Sequence, residues 1–169
     1  MNLFTYIQYS FAGLRRTIDS TMKDMTSELF NWAPPGTANT ISATFVHFIH
    51  TEDHFIQCII QGIPTVWEIG DWSTKTGIPK PPGIGEDWSD FKHRKTALQP
   101  LLDYKTAVWA ATDSYLAKLS EEEVTRMVKF AGGERTVAEM LILCVAQAHG
   151  HMGEIAALKG MQGAKGLAI

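Results

Sequence analysis

Residues 136–163 read TVAEMLILCVAQAHGHMGEIAALKGMQG, and this stretch decides the fold. Thr136 and Glu139 have the spacing of a capping box, in which each side chain satisfies a free backbone donor of the first helical turn. Val137, Leu141, Cys144, Ala148, His151, Ile155 and Leu158 then recur at steps of three and four, the spacing of one buried helical face. Met140 and Gln147 border that face. Two polar side chains, Gln147 and His151, therefore lie one turn apart on or beside a stripe that points into a core. An unpaired buried polar group costs about 1–3 kcal/mol, so both require partners. Those partners are either hydrogen bonds inside a helix bundle or a metal ion.

The rest of the chain supplies the helices such a stripe would pack against. Phe4, Ile7, Phe11, Leu14, Ile18, Met22 and Met25 keep the same spacing and predict a first helix over 3–25. Residues 26–39 read as a connector, because Ala33-Pro34-Pro35-Gly36 cannot continue a helix. Asn39 or Thr40 is a suitable N-cap for a second helix over 41–61 that ends at Gly62. Residues 62–86 form a long irregular segment rich in glycine and proline. Its two tryptophans, Trp67 and Trp72, argue for an ordered flap over one end of the bundle, either as packing or as a substrate lid. A third helix is predicted from 87–89 to 119, with Pro100 either kinking it or marking its true start. Ser120 to Glu123 is a second capping box and opens a short helix to about Phe130. Ala131-Gly132-Gly133 then breaks the chain before the last helix. The expected fold is all-α: an up-and-down four-helix bundle, with one extra short helix and a long loop between the second and third long helices.

The whole chain is consistent with one domain over 1–169, at 169 residues and 45% hydrophobic composition. A net charge of -3 and the lack of a basic run argue against binding nucleic acid through phosphates. Cys58 and Cys144 both fall in apolar helical contexts, so a disulfide scaffold is not expected and a reducing cytoplasm is. The N-terminus lacks the pattern of a signal peptide, and no apolar run is read as approaching the ~20 residues that cross a bilayer.

Chemistry concentrates on histidine. His47, His50 and His54 lie within about 60° of one another on the second helix. His47 and His54 are two turns apart, roughly 10 Å, and cannot share one ion. His47 and His151 are the pair that facing bundle helices can bring together, as bundles do when they build metal sites. His149 lies about 200° around the helix from His151 and points elsewhere. Ala146, Gly150, Gly153 and Ala157 form a stripe of small residues on another side of the last helix. Interior glycines cost about 1 kcal/mol each against alanine, so close approach by another helix, within the chain or from a second subunit, is expected there. Cys144 has no basic neighbour in sequence and reads as structural.

Four stretches, NTISATFVHFIHTEDHFIQCIIQG, YKTAVWAATDSYLAKLSEEE, RTVAEMLILCVAQ and HMGEIAALKGMQG, together resemble the DinB-like (YfiT-like) superfamily over nearly the whole chain. The resemblance implies a four-helix bundle carrying a divalent metal, zinc or nickel, on three histidines. One comes from the second helix and two from the last, four residues apart. His47 matches the first, five residues before Glu52, and His151 matches the last, in a His-x-Gly-Glu context. The middle position holds Gln147. An amide oxygen is a far weaker ligand than imidazole for zinc or nickel. The ion is therefore absent, loosely held, or completed by water, by His50 or by a residue of the flap. Members with known activity are metal-dependent transferases that use low-molecular-weight thiols, and the metal would hold the thiol as a nucleophilic thiolate. The resemblance thus implies a thiol-dependent S-transferase, with a small-molecule or thiol substrate. The other reading is a non-catalytic ligand-binding or stress-related bundle whose metal site is weak or lost. Dimers are common in the superfamily, which, with the small-residue stripe, implies a homodimer.

Overall fold

The structure is a computed structural model that describes residues 2–83 and 86–167, without the side chain of Ser89. Residues 84 and 85 of the predicted flap, and the Ser89 cap expected of the third helix, lie outside the described residues. Helix α1 (Leu3–Met22) opens on Asn2, whose side chain accepts the Thr5 amide at 2.9 Å. A short α2 (Ser27–Asn31) follows, in what the sequence suggests is plain connector. Helix α3 (Ile41–Asp53) opens on the predicted cap Thr40 and runs on as a π-helical turn, His54–Ile60. Gly62, at φ +67°, ends the π turn in a left-handed conformation that glycine adopts without strain.

The long connection contains two short helices, α4 (Val66–Ile69) and α5 (Trp72–Thr76), so it is more ordered than a flap of loop. Trp67 and Trp72 are both buried within it. The predicted third helix divides into α6 (Ser89–Lys92) and α7 (Leu98–Leu116). Pro100 sits in the first turn of α7, where its missing N–H would have had no helical acceptor. It marks a start and not a kink.

The short helix α8 (Glu121–Thr125) begins at Ser120, as expected, but stops five residues before Phe130. Glu123 does not complete a capping box. Its carboxylate instead takes the Tyr115 hydroxyl at 2.7 Å and the Arg126 guanidinium. Residues expected as helix and break then form a hairpin of β1 (Met127–Phe130) and β2 (Gly133–Thr136). Its two-residue loop, Ala131-Gly132, has φ of 50° and 78°. Two positive φ values give the turn whose twist suits a tight hairpin. Val128 is buried, and the Phe130 ring packs edge-on against Phe55 at 5.2 Å.

Helix α9 (Val137–Met161) closes the bundle and carries the predicted capping box between Thr136 and Glu139. Its predicted stripe is buried at every position except His151, which is half-buried. By length and mean hydropathy α9 passes the test for a membrane-crossing helix, which the core helix of a bundle also passes, although Glu139, His149, His151, Glu154 and Lys159 interrupt it.

The core fixes the helix directions. At one end Leu14, Ile18, Phe45, Ile49, Leu101 and Ile155 cluster; at the other, Ile7, Phe11, Phe55, Tyr115 and Leu141. Helices α1 and α9 therefore run one way and α3 and α7 the other. The bundle has four long helices, but its two middle ones are parallel, because the long connection carries the chain back to the end where α3 began. Cross-links tie α1 to α7: Lys105 to Asp19 at 2.6 Å, Gln8 to the Leu116 carbonyl at 3.2 Å, and Arg15 to Asp113. Lys159 donates to the Thr21 and Lys23 carbonyls and so caps the end of α1.

The Thr136–Glu139 box joins the hairpin to the helix on which the core depends. Thr136→Ala should lower unfolding free energy by about 1 kcal/mol, read as an earlier urea midpoint with an unchanged slope.

Candidate functional site

His47 on α3 and His151 on α9 meet across the antiparallel contact of these helices. Their rings stand edge to face with centroids 4.8 Å apart. Trp88, just before α6, also packs against His47, at 4.8 Å and nearly perpendicular. It forms an aromatic wall that the sequence did not single out.

His151 Nδ1 lies 2.9 Å from Glu154 Oε2, one turn further along α9. A carboxylate accepts, so Nδ1 carries a hydrogen, and in the neutral ring Nε2 is then the nitrogen with the lone pair. The bond holds the Glu154 carboxyl below its ordinary range. Burial pushes His47 down to about 4, with His151 reinforcing the shift and Glu154 opposing it. His47 is therefore neutral at physiological pH. Neutral imidazoles with free lone pairs are the form in which histidine ligates a metal.

Gln147 sits one turn before His151. Both its side-chain oxygen and nitrogen are buried without a hydrogen-bond partner. Imidazole nitrogens and an amide oxygen are donor types that divalent cations accept, the amide being the weaker. Among the described residues no group of three or more His, Cys, Asp or Glu side chains converges as a ligand set.

His50 is turned to other partners. Its Nδ1 lies 3.3 Å from the Tyr104 hydroxyl and its ring packs against Trp67. His54 borders a cleft with His50, away from the His47–His151 pair. His149 is exposed, with Nδ1 2.9 Å from the carbonyl of Val145 on its own helix. The three histidines that share one edge of the second helix thus serve different neighbours. Glu154 follows from sequence as an i,i+3 partner of His151. Trp88 has no local signal, since it reaches His47 only through the long connection.

Below this site Glu52 is fully buried. It accepts from Thr112 at 2.7 Å and lies 3.7 Å from the Arg15 guanidinium. Desolvation still pushes its carboxyl up to about 7. Cys144 is buried, and burial raises its thiol well above the ordinary value, which suits the structural role read from sequence.

The DinB superfamily model matches residues 10–155. The chain belongs to the DinB superfamily. Among solved structures, a conserved protein from Enterococcus faecalis superposes with a TM-score of 0.79 at 20% identity, covering 94% of this chain and 96% of that one. At that identity the likeness is one of fold. No curated protein matches the sequence.

Two histidines whose folded pKa is depressed from 6.5 to about 4 set an acid limit. Their contribution to stability is full above about 6.5 and is lost as pH falls through 4. Glu52 acts in the opposite sense. Its pKa rises from 4.5 to about 7, so its contribution is full below 4.5 and is lost as pH climbs through 7. Glu52→Gln should therefore steepen the fall in melting temperature between pH 6.5 and 4, and His47→Gln should flatten it. Parallel pH profiles for both variants and the parent would contradict the assignment.

Proposed function

We propose that the His47–His151 pair is a weak divalent metal site that serves a thiol-dependent S-transferase-like activity. The observation that carries this reading is the facing of two imidazoles, His47 held neutral by burial and His151 held at Nδ1 by Glu154. Zinc or nickel there would supply Lewis acidity, lowering the pKa of a bound thiol. His47 and His151 would hold the ion, with Gln147 Oε1 as a third, weaker donor. The residues of the chain do the rest. Glu154 keeps His151 in one tautomer. Trp88 walls the His47 side and keeps water from that imidazole. Gln147 offers an N–H donor as well as an acceptor to whatever small molecule enters. In this reading the chain works in a reducing cytoplasm, where Cys58 and Cys144 stay free thiols.

One feature favours the second reading, a non-catalytic ligand-binding bundle with a weak or lost metal site. It is the amide at position 147, where the superfamily pattern has imidazole. Gln147→His separates the two. With His47 and His151 it offers three nitrogen ligands and an open position. Calorimetry at neutral pH should show the variant binding zinc or nickel at least about 100-fold more tightly than the parent, the scale of one added strong ligand. His47→Ala or His151→Ala should abolish binding in either background. If neither parent nor variant binds, the metal reading fails.

A homodimer completes the proposal. Gly150 and Gly153 face open space, and Ala146 and Ala157 are exposed beside them, so the small-residue stripe packs against no helix of its own chain. Exposed Tyr6, Tyr9 and Ile142 extend this apolar surface onto α1. A second copy fits it by close helix approach. Light scattering at micromolar concentration should give twice the chain mass; a mass near 18.7 kDa would rule the dimer out.

A further inference from the structure

Helix α3 and the π-helical turn form one wall of a cleft of about 410 Å³, and α4, the start of α5 and Pro79-Lys80 form the other. His50, His54, Cys58, Glu68 and Lys80 line it. None of these belongs to the His47–His151 site. π-helical turns are rare and occur often at functional sites.

Hydrogen bonding fixes the state of His50. Asp53 is fully buried and accepts three bonds: from the Val66 amide at 2.8 Å, the Trp67 amide at 2.9 Å and the Tyr104 hydroxyl at 2.8 Å. Backbone amides only donate, so Asp53 is an acceptor there. The single hydrogen of Tyr104 is thus spent on Asp53. Toward His50 Nδ1, 3.3 Å away, the Tyr104 oxygen can only accept. His50 Nδ1 then carries the ring hydrogen and Nε2 keeps a lone pair. Among the described residues nothing donates to that Nε2.

Charge in the cleft is also committed unevenly. Glu68 Oε2 is taken up in capping α4 through Thr65, and Asp71 Oδ1 accepts from Ser73 and Thr74. Lys80 forms no ion pair among the described residues. The groups that act on His50 are His54, Lys80, Glu68 and His47; with burial, they leave it neutral at physiological pH. The cleft therefore offers a neutral imidazole acceptor and, at Lys80, a cation with no ion pair among the described residues. Beside them lie the Glu68 and Asp71 carboxylates, each with one oxygen held in a local turn.

We propose that this cleft is a second small-molecule site, which takes a small organic anion bearing its own N–H or O–H group, the donor on His50 Nε2 and the anion on Lys80. Tyr104 and Asp53 are positioning residues that hold the tautomer. A 2-hydroxy or 2-amino acid is the smallest molecule with both features. An anion without a donor makes no hydrogen bond to that nitrogen, and that difference is what the site selects on.

The test is imidazole ¹⁵N NMR of the full chain at pH 6 to 8. His50 should show the Nδ1–H tautomer. L-lactate and L-serine should shift its Nε2 resonance saturably and bind about tenfold more tightly than propionate, the worth of one hydrogen bond. Lys80→Ala, at an exposed position, should weaken all three acids several-fold. Tyr104→Phe should relax the tautomer and erase the preference over propionate. His151→Ala dismantles the other site and should leave these responses in place, so the two proposals fail separately. An Nε2–H tautomer, no saturable shift, or equal binding of lactate, serine and propionate would each overturn the proposal.

Discussion

The antiparallel packing of α9 on α3 is the constraint on which the rest of the structure depends. Both helices bring long apolar stripes to that contact, and both carry a histidine at the same level of it. The burial that makes the contact favourable also removes water from His47 and depresses its pKa to about 4. The chemical state of the site is thus a consequence of core formation. Glu154, at the exposed edge of the same contact, supplies the orientation that burial alone cannot.

A second dependence runs through two adjacent residues at the end of α3. Glu52 points toward α1 and α7, where Thr112 and Arg15 meet it. Asp53 points toward the long connection, where it caps the first turn of α4 and holds Tyr104. Buried carboxylates are tolerated only when hydrogen-bonded or paired. Each here fixes a different neighbour: one the bundle, the other the segment that lies over it. The chain can return to its starting end between α3 and α7 because Asp53 and the buried Trp67 and Trp72 anchor that crossing.

What was legible in the sequence was what depends on local period and local caps. The stripe from Val137 to Leu158, the caps at Thr40 and Thr136, and the facing of His47 and His151 all follow from helical phase. The hairpin was not legible, because Met127 to Phe130 is too short to show alternation and an Ala-Gly loop looks the same as a helix break. The π turn leaves no mark in a pattern read at 3.6 residues per turn. Trp88 and Tyr104 reach their histidines through tertiary contacts from distant segments, for which a single sequence holds no signal. The separation of His47, His50 and His54 had the same cause: one helical edge is shared out among neighbours that the chain supplies from elsewhere. The family match bears out the DinB resemblance itself; the metal pattern that the resemblance implied around position 147 came from the family and not from helical phase.

Thr21 Oγ1, Gln57 Nε2, Trp109 Nε1 and Arg15 Nε are also buried without a partner, but among the described residues Gln147 alone has two such side-chain atoms. Glu52 accepts from Thr112 and faces Arg15, Asp53 accepts three hydrogen bonds, and Lys159 donates to two carbonyls. Gln147 has neither its oxygen nor its nitrogen paired. An apolar side chain of similar size would fill the same space without that penalty of about 1–3 kcal/mol per group. A core selected for stability alone would favour such a residue on the border of this stripe. An amide there is physically reasonable if it meets a polar guest, be it water, an ion or a substrate group, that enters beside His151. The unpaired amide, one turn from the ring that Glu154 holds, is therefore the interior group on which the proposed polar guest would act.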